Sequence, residues 1–337
     1  MSLTKSENIF EYDLYNIQKI IKFPSCGSFE LIKPIEEGNF SRVFLFRKKE
    51  PNDSKNSNIF YAIKIFKKFG IQKNQEKESK IQKIFFTEIC GVRTIQRIKK
   101  IQNPYLINIF DFCIDRKMCQ IKVLMEAMPF DLKNYFSIEK NYADLDENLL
   151  KKISYQILSA INALHKSKII HLNIKPENIL YNPYNKIIKL TGFTFSQNIN
   201  YDLTKKNLDI GGSYSYMPPE SLIDTKKFSF KNDIWALGIV LLELLSKKNI
   251  FEGNDKKIVI NKIFGFFGLN NPNKTKIFLD KNEIVINYIK KNKKININDN
   301  NFLDLVAKMV TLDENERISV EEALKHPLFQ RLDLDSI

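Results

Sequence analysis

The chain has 337 residues, 43% hydrophobic and 27% charged, enough apolar material for a sizeable core and a length that commonly divides into two lobes or domains. No apolar stretch is long enough to span a membrane: the longest, LGIVLLELL at 237–245, carries Glu243 and reads as a buried core helix. A net charge of +14 leaves anionic partners open, nucleic acid or acidic protein tails among them, beside the plainer account of a solvated lysine surface.

The opening residues, MSLTKSENIFEYD, lack the basic and then apolar pattern of a signal peptide, so cytosol or nucleus is the expected location. Cys26, Cys90, Cys113 and Cys119 form no CxxC pair and the three histidines are scattered. This argues against a zinc site and for reduced, structural thiols.

In chain order, Phe10, Leu14, Ile17 and Ile21 recur at helical spacing and Pro24 closes the pattern, which predicts a helix docked on the fold. From residue 29, the first clear strand signal, to about 126, FELIKPI, RVFLFRKK, FYAIKIFKK, INIFDFCID and QIKVLMEA read as five short strands. One helix interrupts them at roughly 79–101, carrying Ile84, Val92, Ile95, Ile98 and Ile101. Helices dominate from 131 onward, the strongest at 147–167 and 231–248. Residues 270–300, rich in Asn and Lys, predict a surface excursion between helices. The fold class is therefore α+β, a small sheet-rich lobe followed by a larger helical one.

The segment HLNIKPENIL at 171–180 resembles the catalytic loop of Ser/Thr protein kinases, HRDLKPENIL, with His171, Lys175, Pro176, Glu177 and Asn178 in step. YAIK at 61–64 resembles the VAIK strand, and GSYSYMPPE at 212–220 the end of the activation segment. DIWALG at 233–238 and ENERISVEEALKHPLF at 314–329 match later helical landmarks. Within the superfamily, VLMEAMPFDLKNYF (123–136), IFEGNDKKIVINKIFGFFGLNNPN (250–273) and VRTIQRIKKIQNP (92–104) are similar to the cyclin-dependent and MAP kinase branch. Met217 departs from it, near a place where that branch usually carries arginine. The resemblance implies a bilobal kinase fold over 29–329: an antiparallel-sheet N-lobe to about 126, a hinge at 126–131 and a helical C-lobe from about 132. Residues 1–28 become an N-terminal extension and 330–337 a tail.

Phosphoryl transfer asks a kinase for positioning and charge stabilisation, and the resemblance lets each part be checked. The glycine-rich loop matches EEGNFS, where Gly38 is kept while Glu36 and Ser41 replace the outer glycines. A carboxylate there would repel phosphates. Lys64 matches the lysine that grips phosphates; its helix partner aligns to Thr94, with Glu88 as the rival and Thr94 favoured. The catalytic-loop aspartate is replaced by Asn173, which has no charge and is no useful base, and the neighbouring arginine by Leu172. The magnesium aspartate is replaced by Gly192, leaving Asn178 as one neutral ligand, so magnesium would be held weakly if at all and no metal site is assigned. Asp233, Glu220 and Arg317 match residues that brace the family's catalytic loop and activation segment.

For ATP, the resemblance implies Val43, Ala62 and Leu180 around the base, Met125 as gatekeeper, Glu126 and Met128 as hinge groups, and Asp131 at the ribose. Lys64 and Lys175 could hold phosphates without metal. Glu36 and the missing glycines and aspartate weigh against nucleotide, and the question stays open at this level. Three functions follow as expectations. The first is a pseudokinase that scaffolds or controls a protein partner, a cyclin-like protein or another kinase. The second is an unorthodox nucleotide-dependent transferase. The third is a structural component binding an acidic polymer through KKNKKININ at 290–298. No membrane association is expected.

Overall fold

The structure, a computed structural model, describes residues 19–37, 41–49, 59–66, 94–115, 120–199, 214–224, 227–269 and 281–330. The chain forms two compact units, one of Met1–Lys73 with Asn108–Ala127, the other of Asn74–Ile107 with Met128–Ile337.

The first unit is a six-stranded antiparallel sheet. Its strands are β1 (Ile20–Phe23), β2 (Gly27–Glu37), β3 (Ser41–Lys49), β4 (Phe60–Phe66), β5 (Ile109–Asp115) and β6 (Gln120–Glu126), in the order β1-β2-β3-β4-β6-β5. The five strands expected from sequence are β2 to β6. β1 corrects the reading that placed Ile21 on a helix and the first strand at residue 29. Ile21 and Phe23 are each only 2% exposed while Ile20 and Lys22 face outward, a period of two rather than 3.6. Phe10, Leu14 and Ile17 lie outside the described residues. Pro24 does end the element, at a turn that closes on Gly27 with φ +92°. One sheet face carries a core of Ile21, Phe23, Phe29, Phe44, Phe46, Ile63, Ile65 and Leu124. Phe23, Phe29, Tyr61 and Phe110 run through it edge to face. The turn after β1 reaches the opposite edge, where the amide and hydroxyl of Ser25 both donate to Asp111 of β5.

The second unit is mostly helical. In chain order its helices are α1 (Leu132–Ser137), α2 (Glu139–Ala143), α3 (Glu147–Lys166), α4 (Pro219–Ile223), α5 (Lys231–Ser246), α6 (Lys256–Phe266), α7 (Lys281–Asn292), α8 (Asn300–Met309) and α9 (Val320–Leu324). Residues 94–98 are also helical and belong to this unit. Short strands β7 (Phe130–Asp131), β8 (Ile169–Ile170), β9 (Ile179–Asn182), β10 (Ile187–Leu190) and β11 (Gln197–Asn198) make two small sheets, β10-β9-β7 and β11-β8.

α3 starts at Asp146, whose side chain caps the Leu149 amide, and buries Leu149, Leu150, Ile153, Ile157, Ile161 and Leu164 on one face. α5 is buried almost all round, as its apolar run at 237–245 predicted. Among the described residues no helix is long and apolar enough to cross a membrane.

The segment 270–300 departs from the expected surface excursion. Its residues 281–292 form α7, whose Val285 and Ile289 are 0% and 1% exposed. Ile295 and Ile297 are buried beyond it. Sparse isoleucines among Asn and Lys are enough for one buried stripe.

Candidate functional site

The loop 171–178 leaves β8, passes a 3-10 turn at Pro176–Asn178 and enters β9. Three donors fix its entry. Asp233, in the first turn of α5 and 1% exposed, accepts the amides of His171 and Leu172 at 2.9 Å each. It also accepts the ring Nε2 of His165 at 2.8 Å. Leu172 is thereby held at φ +61°, a left-handed conformation that costs a non-glycine residue roughly 1–3 kcal/mol.

His171 is fully buried and pins the loop to the segment after β10. Its Nδ1 accepts the Asn173 amide at 3.2 Å, so Nε2 carries the proton donated to the Thr191 carbonyl at 2.8 Å. Ser196 Oγ donates to the His171 carbonyl at 3.0 Å, and Phe193 packs on the imidazole at 5.1 Å.

Asn173, Asn178 and Gly192 come together at the loop's centre. Asn178 Nδ2 donates to the Asn173 carbonyl at 2.7 Å, and Asn173 Nδ2 to the Gly192 carbonyl at 3.4 Å. The Thr191 amide donates to the Asn178 carbonyl at 2.9 Å. Gly192 has φ +86°, and a Cβ built on it would lie 2.3 Å from Asn178 Cγ and 2.4 Å from its Oδ1. The volume a side chain at 192 would enter is filled by the Asn178 amide.

This donor set does not fit magnesium. Asn173 and Asn178 offer neutral amide oxygens where the ion favours charged oxygen ligands. Among the described residues no group of three or more His, Cys, Asp or Glu could hold a metal.

Thr94 is 6% exposed, and its hydroxyl donates to the Ser196 carbonyl at 3.3 Å, inside the same unit. Its rival Glu88 and the loop glycine Gly38 lie outside the described residues.

Around the loop, Lys133 donates to Glu177 at 2.7 Å. Burial pushes the Glu177 carboxyl up, but the Lys133 hydrogen bond, its own amide and Lys175 outweigh it and hold the group below its usual range. Tyr216 donates to Glu243 of α5 at 2.6 Å. Burial, then the Glu177 charge, holds Glu243 above the ordinary carboxylate range, and burial with Glu243 raises the Tyr216 phenol. Arg317, 1% exposed, makes a two-pronged pair with Glu220 at 2.7 and 3.2 Å and stacks its guanidinium 5.0 Å from the Trp235 ring.

The expected nucleotide contacts divide between the units. In the first, β3 and β4 register Val43 opposite Lys64, and β4 and β6 register Ala62 opposite Met125, which puts all four on one sheet face. Glu36 pairs with Val43 on that face, and the Glu126 amide is taken by the Asn108 carbonyl at 3.0 Å. In the second unit, Leu180 pairs with Asp131 across β9 and β7, and Met128 is half-buried. Asp131 caps α1, with one oxygen on the Asn134 amide and the other on its side chain. Lys175 stands extended just before the 3-10 turn.

Sequence reasoning missed His165 and Ser196. A histidine six positions before the loop, in LHKS, carries no pattern of its own; a lone polar side chain late in an apolar helical stripe was the only signal.

The profile of the protein kinase domain matches residues 29–329. A relative described as a probable cyclin-dependent serine/threonine-protein kinase, from Dictyostelium discoideum, is 28% identical over 316 residues. The alignment covers 90% of this chain but only 20% of that protein, so the chain spans about a fifth of the relative's length.

Proposed function

This chain belongs to the protein kinase domain family, and from that premise we propose that it works by binding a protein partner rather than by transferring phosphate. The observation that carries the reading is the centre of the loop, where Asn173 and Gly192 stand in place of the two carboxylates and the Asn178 amide fills the space beside Gly192. Loss of general-base help alone typically costs about 10²–10⁴ in rate. The groups that brace the fold, Asp233 with its three donors and the Glu220–Arg317 pair, are intact. A family domain that keeps its scaffold and changes its chemistry is suited to recognition.

The similar Dictyostelium protein is named as cyclin-dependent, which makes a cyclin-like protein or a second kinase the partner class to try first. ATP is an optional ligand in this reading. The shared face of Val43, Ala62, Lys64 and Met125 supports it, and Glu36 on the same face opposes it.

The test is transfer of labelled phosphate from ATP to a generic protein substrate and to the chain itself, with magnesium and with manganese. The expected result is no transfer above a protein-free blank. Transfer abolished by Lys64→Ala would overturn the reading and establish an unorthodox transferase. Calorimetry with ATP on the wild type and on Lys64→Ala then decides the ligand question. Binding lost in the variant makes ATP a ligand; no heat in either leaves recognition to the surfaces.

A further inference from the structure

The basic run 290–298 is part of a built surface on the helical unit, joined to a second lysine pair from α5. The Lys294 amide donates to the Leu245 carbonyl at 2.8 Å. This brings the run against the end of α5, where Lys247 and Lys248 follow Ser246 and are exposed. Lys290 and Lys291 occupy the last turn of α7, just upstream.

Some of this charge has a local use. Lys247 pairs with Glu139, and Lys293 Nζ donates to the Ile297 carbonyl at 2.7 Å. Two helix C-termini also meet here and favour cations. Lys248, Lys290, Lys291 and Lys294 go further. All four are exposed, and among the described residues none has an acidic partner. The sequence carries no Asp or Glu between Glu283 and Asp299, and Asp299 is itself paired with Lys151 at 2.8 Å.

The run is also shaped. Ile295 and Ile297 are buried while Lys294, Asn296 and Asn298 face out. From Lys294 to Asn298 exposed and buried residues alternate, so the polar side chains face solvent together. Asn296 and Asn298 offer both donors and acceptors of the kind a peptide backbone uses.

Nucleic acid fits less well. Tyr142 is 7% exposed with its hydroxyl on the Leu244 carbonyl, and Tyr288 is engaged with Phe266 at 5.1 Å, so both rings are already used within the fold. The chain from 244 to 298 contains no arginine, the side chain that best matches phosphate.

We propose that Lys248, Lys290, Lys291 and Lys294, with the Asn296–Asn298 row, form a docking strip for an extended acidic polypeptide segment. This goes beyond the phosphotransfer question and stands or falls separately from it.

The experiment is fluorescence anisotropy of a labelled decaglutamate peptide titrated with the full chain, from about 25 to about 200 mM salt. Lys291→Glu with Lys294→Glu is expected to weaken binding at least about fivefold, since exposed ion pairs contribute modestly and reversal adds repulsion. Lys257→Glu with Lys325→Glu makes the same change in net charge elsewhere and is expected to weaken it less than about twofold. The neutral pair Lys291→Gln with Lys294→Gln should fall between, and thermal melts check that each variant is folded. Equal weakening by the two reversed pairs would overturn the proposal in favour of bulk charge. So would tighter binding of a labelled oligothymidylate that the strip variant abolishes, and so would no decaglutamate binding at the lowest salt.

Discussion

Gly192 and Asn178 contend for one volume at the centre of the loop. A Cβ at 192 would meet the Asn178 amide at 2.3 Å on a backbone already at φ +86°. Gly192→Ala is therefore predicted to destabilise by roughly 1–3 kcal/mol, part from the left-handed backbone and part from the clash. Asn178→Gly should relieve the second part only, so a double-mutant cycle on denaturant midpoints should show coupling. Strict additivity would mean that the two side-chain volumes do not compete. Asp233 is the opposite case, a residue whose worth lies in what it satisfies. Asp233→Ala leaves three donors buried without an acceptor, each worth about 1–3 kcal/mol when stranded. A fall in unfolding free energy of at least about 3 kcal/mol is expected by chemical denaturation; a loss under about 1 kcal/mol would show that the loop braces itself. Asn173 and Gly192 were legible from their places in a motif. His165 was not, because its role exists only once α3 and α5 lie side by side.

At the scale of elements, β1 is the clearest instance of context overriding pattern. Phe10 to Ile21 carries a helical period, yet Ile20–Phe23 pairs with β2 in register from Ile20 with Glu30 to Phe23 with Gly27. What decides it is a neighbour: Phe29 and the rest of the sheet core offer a surface that only alternate residues can reach. Phe23→Ala should cost about 3–5 kcal/mol, measured by denaturant unfolding. In hydrogen exchange the Leu31 amide, bonded to the Lys19 carbonyl at 2.8 Å, should exchange slowly. Fast exchange at Leu31 would remove the strand. α7 makes the converse point. Its composition reads as a polar loop, but Val285 and Ile289, four apart, are sufficient once α5 and α8 supply something to pack against.

Across the molecule, charge ties distant parts of the chain together. Lys151 of α3 bridges Glu147 and Asp299 at 2.8 Å each, and Glu147 also accepts the amides of Asn298 and Asp299. Burial pushes both carboxyls up, but Lys151 and these amides, with Asn301 at Asp299, win and hold both below their usual ranges. A depressed folded pKa stabilises above the unfolded value, about 4.3 for Glu and 3.9 for Asp, and that contribution is lost as pH falls through the folded value. Lys151→Met is expected to cost about 1 kcal/mol near neutrality. The gap from wild type should narrow as pH falls towards about 3, followed as Tm against pH. A gap that stayed constant would assign the loss to packing of the lysine stem.

By itself the sequence determined the kinase-like α+β architecture, the five strands β2 to β6, and the long helices α3 and α5. These rest on local period and on motifs in fixed order, information that lies along the chain. Only the tertiary structure decided that residues 20–23 are a strand, that α7 exists and that His165 and Ser196 brace the loop. It alone fixed that Asn178 fills the space beside Gly192, and that the run at Lys290–Lys294 lies against the end of α5 beside Lys247 and Lys248. Each of those depends on what a residue meets across space, which burial and hydrogen-bond satisfaction settle after the chain has folded.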